Sequence, residues 1–315
     1  MRIFVTGGNG FIGSHVVKTL LSKGYQVRCL LRPTSDTKRL SGLDYEPVLG
    51  DVRHQDSLTT GMSGCDGIVH LASLSSWNDI ASPAMHEIVV SGSKNLFQAA
   101  KAHGISKTVF VSSAAAINGS KTPELQNEDS TFSLEKHHLP YSKAKRAVEQ
   151  MDFPFVTVNP GEVYGPNDWN FITAGNLVDF AESAPVMVCA GGTSVVHVED
   201  VASGIVAALE KGRIGQRYIL GGDNLTIREL AKLTLDILGQ NKRILQIPNG
   251  LLRIAGKTAS ALKLPFPIHP NVIPYATRYW MMDNEKAKRE LGVSFRNARD
   301  TLEPTLMWLK NEGLI

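Results

Sequence analysis

Tyr141 and Lys145 stand four residues apart in Tyr141-Ser142-Lys143-Ala144-Lys145, a spacing that sets both on one face of a helix. No other tyrosine in the chain has a lysine at that offset. A phenol beside an ammonium suits proton transfer to a carbonyl oxygen. A free tyrosine, with a pKa of about 10, exchanges its proton slowly at neutral pH, and the lysine charge would lower that pKa by Coulomb attraction. Upstream, Val109-Phe110-Val111 runs into Ser112 and Ser113, two hydroxyls at the carboxyl edge of a strand, where open α/β sheets bind ligands. Further back, Gly7, Gly10 and Gly13 fit G-x-x-G-x-x-G, while Gly8, Gly10 and Gly13 fit G-x-G-x-x-G. Both spacings allow a tight turn, a close approach of backbone to pyrophosphate, and phosphates seated on a helix N-terminus.

The surrounding elements suit that use. Ile3-Phe4-Val5 reads as a strand ahead of the glycines, and Phe11, Ile12, Val16, Val17, Leu20 and Leu21 recur at helical spacing after them. Further apolar runs at Tyr25 to Leu31, Tyr45 to Leu49, Gly67 to Leu71, Thr108 to Ser112 and Phe155 to Val158 alternate with helical segments at Ser57 to Met62 and Pro83 to His103. The alternation predicts an α/β fold, a Rossmann-type doubly wound parallel sheet with helices on both faces. The pattern loosens at Asn159-Pro160-Gly161. Residues 1–160 are therefore expected to form a dinucleotide-binding domain, and 161–315 a smaller, mostly helical C-terminal substrate domain. Ser194 to Val198 and Arg217 to Leu220 read as strands joined by a helix from Val201 to Glu210 that Asp200 would cap. This stretch, 194–222, is expected to return elements to the main sheet. From Thr226 onward the chain reads as mostly helical, with a proline-rich stretch at Pro265, Pro267, Pro270 and Pro274.

Composition limits the partners. The 315 residues are 43% hydrophobic, and the formal charge of +3 comes from 33 basic and 30 acidic residues with no basic block, so no nucleic-acid partner is expected. No apolar run approaches roughly 20 residues, which argues against a membrane span. No signal peptide is expected ahead of a strand starting at Arg2, which points to the cytoplasm. Cys29, Cys65 and Cys189 are odd in number and far apart, as reduced structural thiols are. His137 and His138 adjoin on a loop and read as solvated, and His197 reads as a satisfied core histidine; no metal is expected, since a metal site needs several convergent donors. Tyr275, Tyr279 and Trp280 read as core packing. Trp77, in the polar loop Ser73 to Ser82, reads equally as a substrate lid or a surface anchor.

A phosphate-binding glycine loop, then a serine at a strand end, then Tyr-x-x-x-Lys, is the layout of the short-chain dehydrogenase/reductase superfamily, and the chain resembles its extended branch, the NAD-dependent epimerases and dehydratases. His70-Leu71-Ala72, Val198-Glu199-Asp200-Val201-Ala202 and Tyr218-Ile219-Leu220-Gly221-Gly222 resemble signatures of that branch. Ser112-Ser113-Ala114-Ala115-Ala116-Ile117-Asn118 is most similar to dihydroflavonol reductases and their bacterial relatives. The run from Gly212 to Gly222 is similar to proteins called hopanoid-associated sugar epimerases.

The resemblance implies roles. Tyr141 would exchange the proton, Lys145 would assist it and hold the nicotinamide ribose, and Ser113 would hydrogen-bond the substrate oxygen. Ser113 is preferred to Ser112 because the dihydroflavonol reductase pattern places the second serine there, and strand alternation sends the two in opposite directions. Gly7, Gly10, Phe11, Ile12, Gly13, Asp51, Val52, Leu71, Ala72, Ser73, Pro160, Gly161 and Val163, with Tyr141 and Lys145, would line the cofactor. NADP(H) is expected over NAD(H): Arg32 follows a second strand that carries no carboxylate for a ribose hydroxyl, and Arg39 matches a second basic position. Trp77, Asn118 and Tyr164 would face the substrate. Two positions depart from the pattern. Val89 stands where Asn-Val-x-Gly-Thr-x-Asn has its first asparagine, so a proton relay there must differ. Only Arg146 to Phe153 separate Lys145 from Pro154, a short catalytic helix that leaves monomer and homodimer both open.

The leading expectation is an NADP-dependent oxidoreductase acting on a small, largely apolar ketone or aldehyde, or on the corresponding alcohol. A nucleotide-sugar epimerase or dehydratase is the first alternative. It is discounted because Thr193 occupies the place where those enzymes usually carry an arginine for the pyrophosphate, and a hydroxyl does not replace a bidentate grip. A non-catalytic NADP-sensing protein is the second alternative.

Overall fold

The computed structural model describes residues 1–74, 76–261 and 269–315; Pro265 and Pro267 lie outside the described residues. The first half alternates as its hydrophobic periodicity requires. It runs through β1 (Arg2–Thr6), α1 (Phe11–Ser22), β2 (Gln26–Leu31), β3 (Glu46–Leu49), α2 (Gln55–Met62) and β4 (Gly67–His70). The helix expected over Pro83 to His103 is continuous but changes pitch: α3 (Pro83–Met85) passes into a π turn, His86–Ser91, and then into α4 (Gly92–Ala102). Next come β5 (Lys107–Val111), the short β6 (Leu125–Gln126), α5 (Pro140–Glu149) and β7 (Val156–Pro160).

The second half contains more strand than the sequence suggests. It holds β8 (Glu162–Tyr164), α6 (Ala174–Glu182), β9 (Val186–Cys189), β10 (Gly192–His197), α7 (Val198–Lys211), β11 (Arg217–Leu220) and β12 (Asp223–Thr226). After these come α8 (Ile227–Leu238), β13 (Ile244–Ile247), α9 (Asn249–Ala261), α10 (Ile273–Ala276), β14 (Tyr279–Met282), α11 (Glu285–Leu291) and α12 (Ala298–Asn311).

The seven-stranded main sheet has the order β11-β7-β5-β4-β1-β2-β3, and every pairing in it is parallel. Alternation along β1 sends Ile3 and Val5 to a face covered by Val16, Val17 and Leu20 of α1 and by Val201, Ala202 and Ile205 of α7. Phe4 goes to the other face, against Leu58, Met62, Leu96 and Phe97. With both faces buried, the strands are near-continuously apolar. Of the 194–222 stretch, Arg217–Leu220 joins the main sheet beside β7, whereas Gly192–His197 is the centre of a second sheet ordered β12-β10-β14-β6, with β8 on its flank. Leu177, Phe180, Leu230, Leu302 and Leu309 pack a separate core against that sheet.

The expectation that Asp200 caps the following helix is not met. α7 starts one turn earlier, and its cap is His197, whose Nδ1 accepts from the Glu199 amide at 3.2 Å. Asp200 instead accepts from the Arg296 amide at 2.8 Å. Among the described residues, no helix is long and apolar enough to cross a membrane. Cys29, Cys65 and Cys189 are buried and free.

Candidate active site

Gly7 has a φ of +72°, a left-handed conformation natural to glycine, and a Cβ there would lie 2.9 Å from the Ala72 amide nitrogen. A Cβ on Gly13 would lie 2.0 Å from the Gly7 carbonyl oxygen. The turn is closed by Gly10 N–H donating to Gly7 O at 3.0 Å, and α1 then begins with no side-chain cap. Its first amides, at the positive end of the helix, are free to take an anion. Nearby, Ser73 Oγ is buried with no partner among the described residues. A backbone cradle that a Cβ would fill, an uncapped helix start and an orphaned hydroxyl fit a dinucleotide.

Beneath the cradle runs a polar chain that motif reading did not connect. Thr6 Oγ1 pairs with His70 Nδ1 at 2.6 Å, and His70 Nε2 with Ser93 Oγ at 2.8 Å; Ser93 Oγ donates to Val89 O at 2.5 Å. Burial, with a smaller push from Lys145, lowers the His70 pKa to about 3, so the ring is neutral. Val89, fully buried in the π turn, takes part through its carbonyl rather than a side-chain amide.

At the other end of the cradle a cavity of about 490 Å³ is lined by Arg32, Asp51, Arg53 and His54. Asp51 pairs with Arg53 at 2.8 Å, which holds its carboxyl below the usual carboxylate range. Arg39 does not join this group. Its Nε donates to the Asn167 carbonyl at 3.0 Å. The second cation at the Arg32 cavity is Arg53, which the sequence reading missed because it lies beyond the third strand.

The catalytic candidates converge. Ser112 is 4% exposed, its hydroxyl buried without a partner; Ser113 is half-buried, and its Oγ accepts from the Ala115 amide at 3.2 Å. The two side chains thus part, as strand alternation requires. Burial raises the Tyr141 pKa, and a hydrogen bond with Ser113 opposes that rise. Lys145 lies with its Nζ 5.9 Å from the Tyr141 ring centroid, donating to Val111 O at 2.8 Å. The hydrogen bond with Ser113 eases Tyr141 ionisation in this arrangement. Lys145 pays for its burial: its pKa falls to about 7, with only Glu149 pulling it back up.

That value fixes the sign of a pH effect. Below about pH 7 Lys145 is charged in the folded and unfolded chains alike, and the cost of burying the charge is present in full. Between about 7 and the unfolded value near 10.4, only the unfolded chain keeps the proton, so rising pH favours the fold. Unfolding in urea should show the stability of the wild type minus that of Lys145→Met growing with pH by about 1 kcal/mol per unit over this range. A difference that stays flat would count against a buried neutral lysine.

Glu149, four residues beyond Lys145, is a further residue the sequence reading passed over. Asn159 Nδ2 bridges Glu149 Oε1 at 2.7 Å and the Ser113 carbonyl at 3.0 Å, and Glu149 also pairs with Arg146 and Arg217. Its signal was the helical offset from Lys145. Pro160 ends β7, and Gly161 follows with its hydrogen atom where a Cβ would come within 2.4 Å of Ser194 O. Val52 and Val163 are core residues, while Leu71 donates its amide to Thr6 O at 3.0 Å.

The substrate candidates divide. Trp77 packs edge-on against Tyr275 at 5.6 Å, and Tyr275 stacks on Trp280; the Tyr275 hydroxyl accepts from the Tyr141 amide at 3.2 Å. These rings form an aromatic wall beside α5. Asn118 is tied to the protein: its Oδ1 accepts from Ser133 and its Nδ2 donates to Gln126. Tyr164 does not face a substrate. It is fully buried in the second core, where its hydroxyl accepts from Asn176 at 2.8 Å, because alternation along β8 turns it towards α6. Thr193 is 5% exposed. Close to it stands Glu162, which pairs across the sheet with Val195, and whose carboxyl pKa is raised by burial and eased by a hydrogen bond from Thr193.

The NAD dependent epimerase/dehydratase family matches residues 3–221. A 4-hydroxy-2-methyl-3-oxo-4-farnesyl-3,4-dihydroquinoline-1-oxide ketoreductase of Stigmatella aurantiaca is 29% identical, covering 94% of this chain and 92% of its own. A dihydroflavonol 4-reductase of Callistephus chinensis is 28% identical over 73% of this chain and 71% of its own. Among solved structures, gox2253 superposes with a TM-score of 0.85 at 28% identity, covering 99% of this chain and 98% of its own.

Proposed function

The chain belongs to the NAD dependent epimerase/dehydratase family and is an NAD(P)-dependent oxidoreductase, and from that premise we propose that it reduces a small, largely apolar ketone or aldehyde with NADPH, or runs the reverse reaction. The observation that carries this reading is the meeting of Ser113, Tyr141 and Lys145 beside the glycine cradle, with an aromatic wall of Trp77, Tyr275 and Trp280 opposite. In this reading Tyr141 gives its proton to the carbonyl oxygen, Ser113 donates a hydrogen bond to that oxygen, and the wall shields the reacting carbon from water. The bound nicotinamide would supply the hydride. Gly7, Gly10 and Gly13 with the start of α1 would hold the pyrophosphate, and Lys145 the ribose.

Residues 1–160 would supply most of the cofactor site and 161–315 most of the substrate site. Relatives named as reductases of a farnesylated quinoline oxide and of a flavonoid favour an apolar carbonyl. The nucleotide-sugar alternative is disfavoured by Thr193, since Glu162 beside it would repel a pyrophosphate whenever ionised.

The test is consumption of NADPH and NADH against a panel of aromatic and aliphatic aldehydes and ketones, with Arg32→Ala alongside. Arg32 is exposed at the cavity that would receive the ribose end, and a charge-assisted hydrogen bond corresponds to roughly 10- to 150-fold in affinity. NADPH binding should weaken by about that factor in the variant while NADH binding hardly changes. Equal losses for both would show that Arg32 does not read the phosphate, and a wild type inert towards every carbonyl would remove the reductase reading.

A further inference from the structure

Arg278, in the link from α10 to β14, is 6% exposed, yet its one protein acceptor among the described residues is the Gly119 carbonyl, 3.1 Å from Nη1. A guanidinium carries five donors. Nε and Nη2 have no acceptor among the described residues and are not sealed off from solvent. Arg253 from α9 lies beside it, oriented by hydrogen bonds from Nε and Nη2 to Thr277 Oγ1 at 3.2 and 2.9 Å. No carboxylate pairs with either arginine among the described residues, and the residues outside them include no Asp or Glu. Burying a guanidinium without a counter-charge is unfavourable unless something compensates it.

The place is as informative as the charge. Gly119 follows directly on the loop that starts at Ser113, and the Arg278 amide donates to the carbonyl of Tyr275, the residue whose hydroxyl holds the Tyr141 amide. Arg278 is therefore one helical turn from the aromatic wall. Lys121 and Lys143 add to the field, and His137 feels it: after desolvation, Arg278, Lys121, Arg253 and Lys143 are what lower the His137 pKa, and burial followed by Arg253 lowers that of Arg278 itself.

We propose that Arg278 and Arg253 form an oxyanion-binding subsite at the mouth of the substrate cleft, which holds a carboxylate or phosphate at the far end of a substrate whose carbonyl lies against Tyr141. This rests on the reductase reading and narrows its substrate class to an apolar carbonyl compound with an anionic end. Arg278 forms the floor, already fixed by Gly119, and Arg253 the wall, fixed by Thr277; little side-chain freedom remains to be lost on binding.

Two measurements test the subsite. The first compares 4-formylbenzoate with its methyl ester, which differ in charge and hardly in shape. The acid should be the better substrate by roughly 10-fold or more in kcat/KM, and Arg253→Gln, at an exposed position that spares the core, should cut that preference several-fold. Arg278→Lys should keep part of it and Arg278→Met should lose it. The second measurement does not depend on turnover: calorimetric titration of the NADPH-saturated protein with benzoate and with pyrophosphate shows which oxyanion is held. Binding of one of them, weakened in Arg253→Gln, supports the subsite even if neither aldehyde is reduced, an outcome that would count against the reductase reading alone. An ester reduced as well as the acid, or anion binding that is absent or indifferent to Arg253→Gln, overturns it.

Discussion

Tyr141→Phe is expected to lower turnover by about 10²- to 10⁴-fold while leaving NADPH affinity nearly intact. The phenolic hydroxyl is the only part removed, and what fixes the residue in place survives, since its amide donates to the Tyr275 hydroxyl and the ring stays packed beside Lys145. Loss of a proton donor used in the transition state lowers kcat and kcat/KM together, with little change in the binding of either ligand. Single-turnover rates and cofactor titration on the same preparation separate the two quantities. Wild-type rates in the variant would remove Tyr141 from the chemistry.

Gly13→Val should act in the opposite way, through the cofactor. A Cβ at this position falls 2.0 Å from the Gly7 carbonyl oxygen and 2.9 Å from the Gly8 Cα, both of them backbone, so the turn must open. Overpacking of this kind costs about 1–3 kcal/mol of stability. The larger effect is on binding: an opened turn withdraws the first amides of α1 from the phosphates, and losing two charge-assisted hydrogen bonds weakens affinity on the order of 10³-fold. Thermal unfolding with and without NADPH reads both effects. A variant that NADPH stabilises as much as it does the wild type would show that the pyrophosphate sits elsewhere.

The parallel sheet was legible because each strand sits between turn residues and beside a helix of clear period, as Ile3-Phe4-Val5 and α1 show. That Tyr141 and Lys145 lie side by side was legible because a helix turns a four-residue offset into adjacency. What escaped the sequence was set by contacts between distant segments. The strands β12 and β14 are short and polar or aromatic, and they exist because β10 offers them an edge. Tyr164 was misplaced because the motif around it does not reveal which face of β8 looks towards α6. Arg39 carries the right charge in the right region, but the Asn167 carbonyl draws it aside. Arg278 and Gly119, 159 residues apart, share no local pattern that would announce their bond.

The position of β11 has a consequence in time. β7 is complete at Pro160, but its neighbour starts only at Arg217, after β8, β9, β10 and α7 have been made. At roughly 5–20 residues per second, a nascent chain would carry the bare hydrogen-bonding edge of β7 for about 3 to 11 seconds. A bare strand edge invites pairing with another chain. Arg217 both opens the strand that closes this edge and brings its guanidinium within 3.6 Å of Glu149, so the support behind α5 is finished by a residue that leaves the ribosome long after the helix itself.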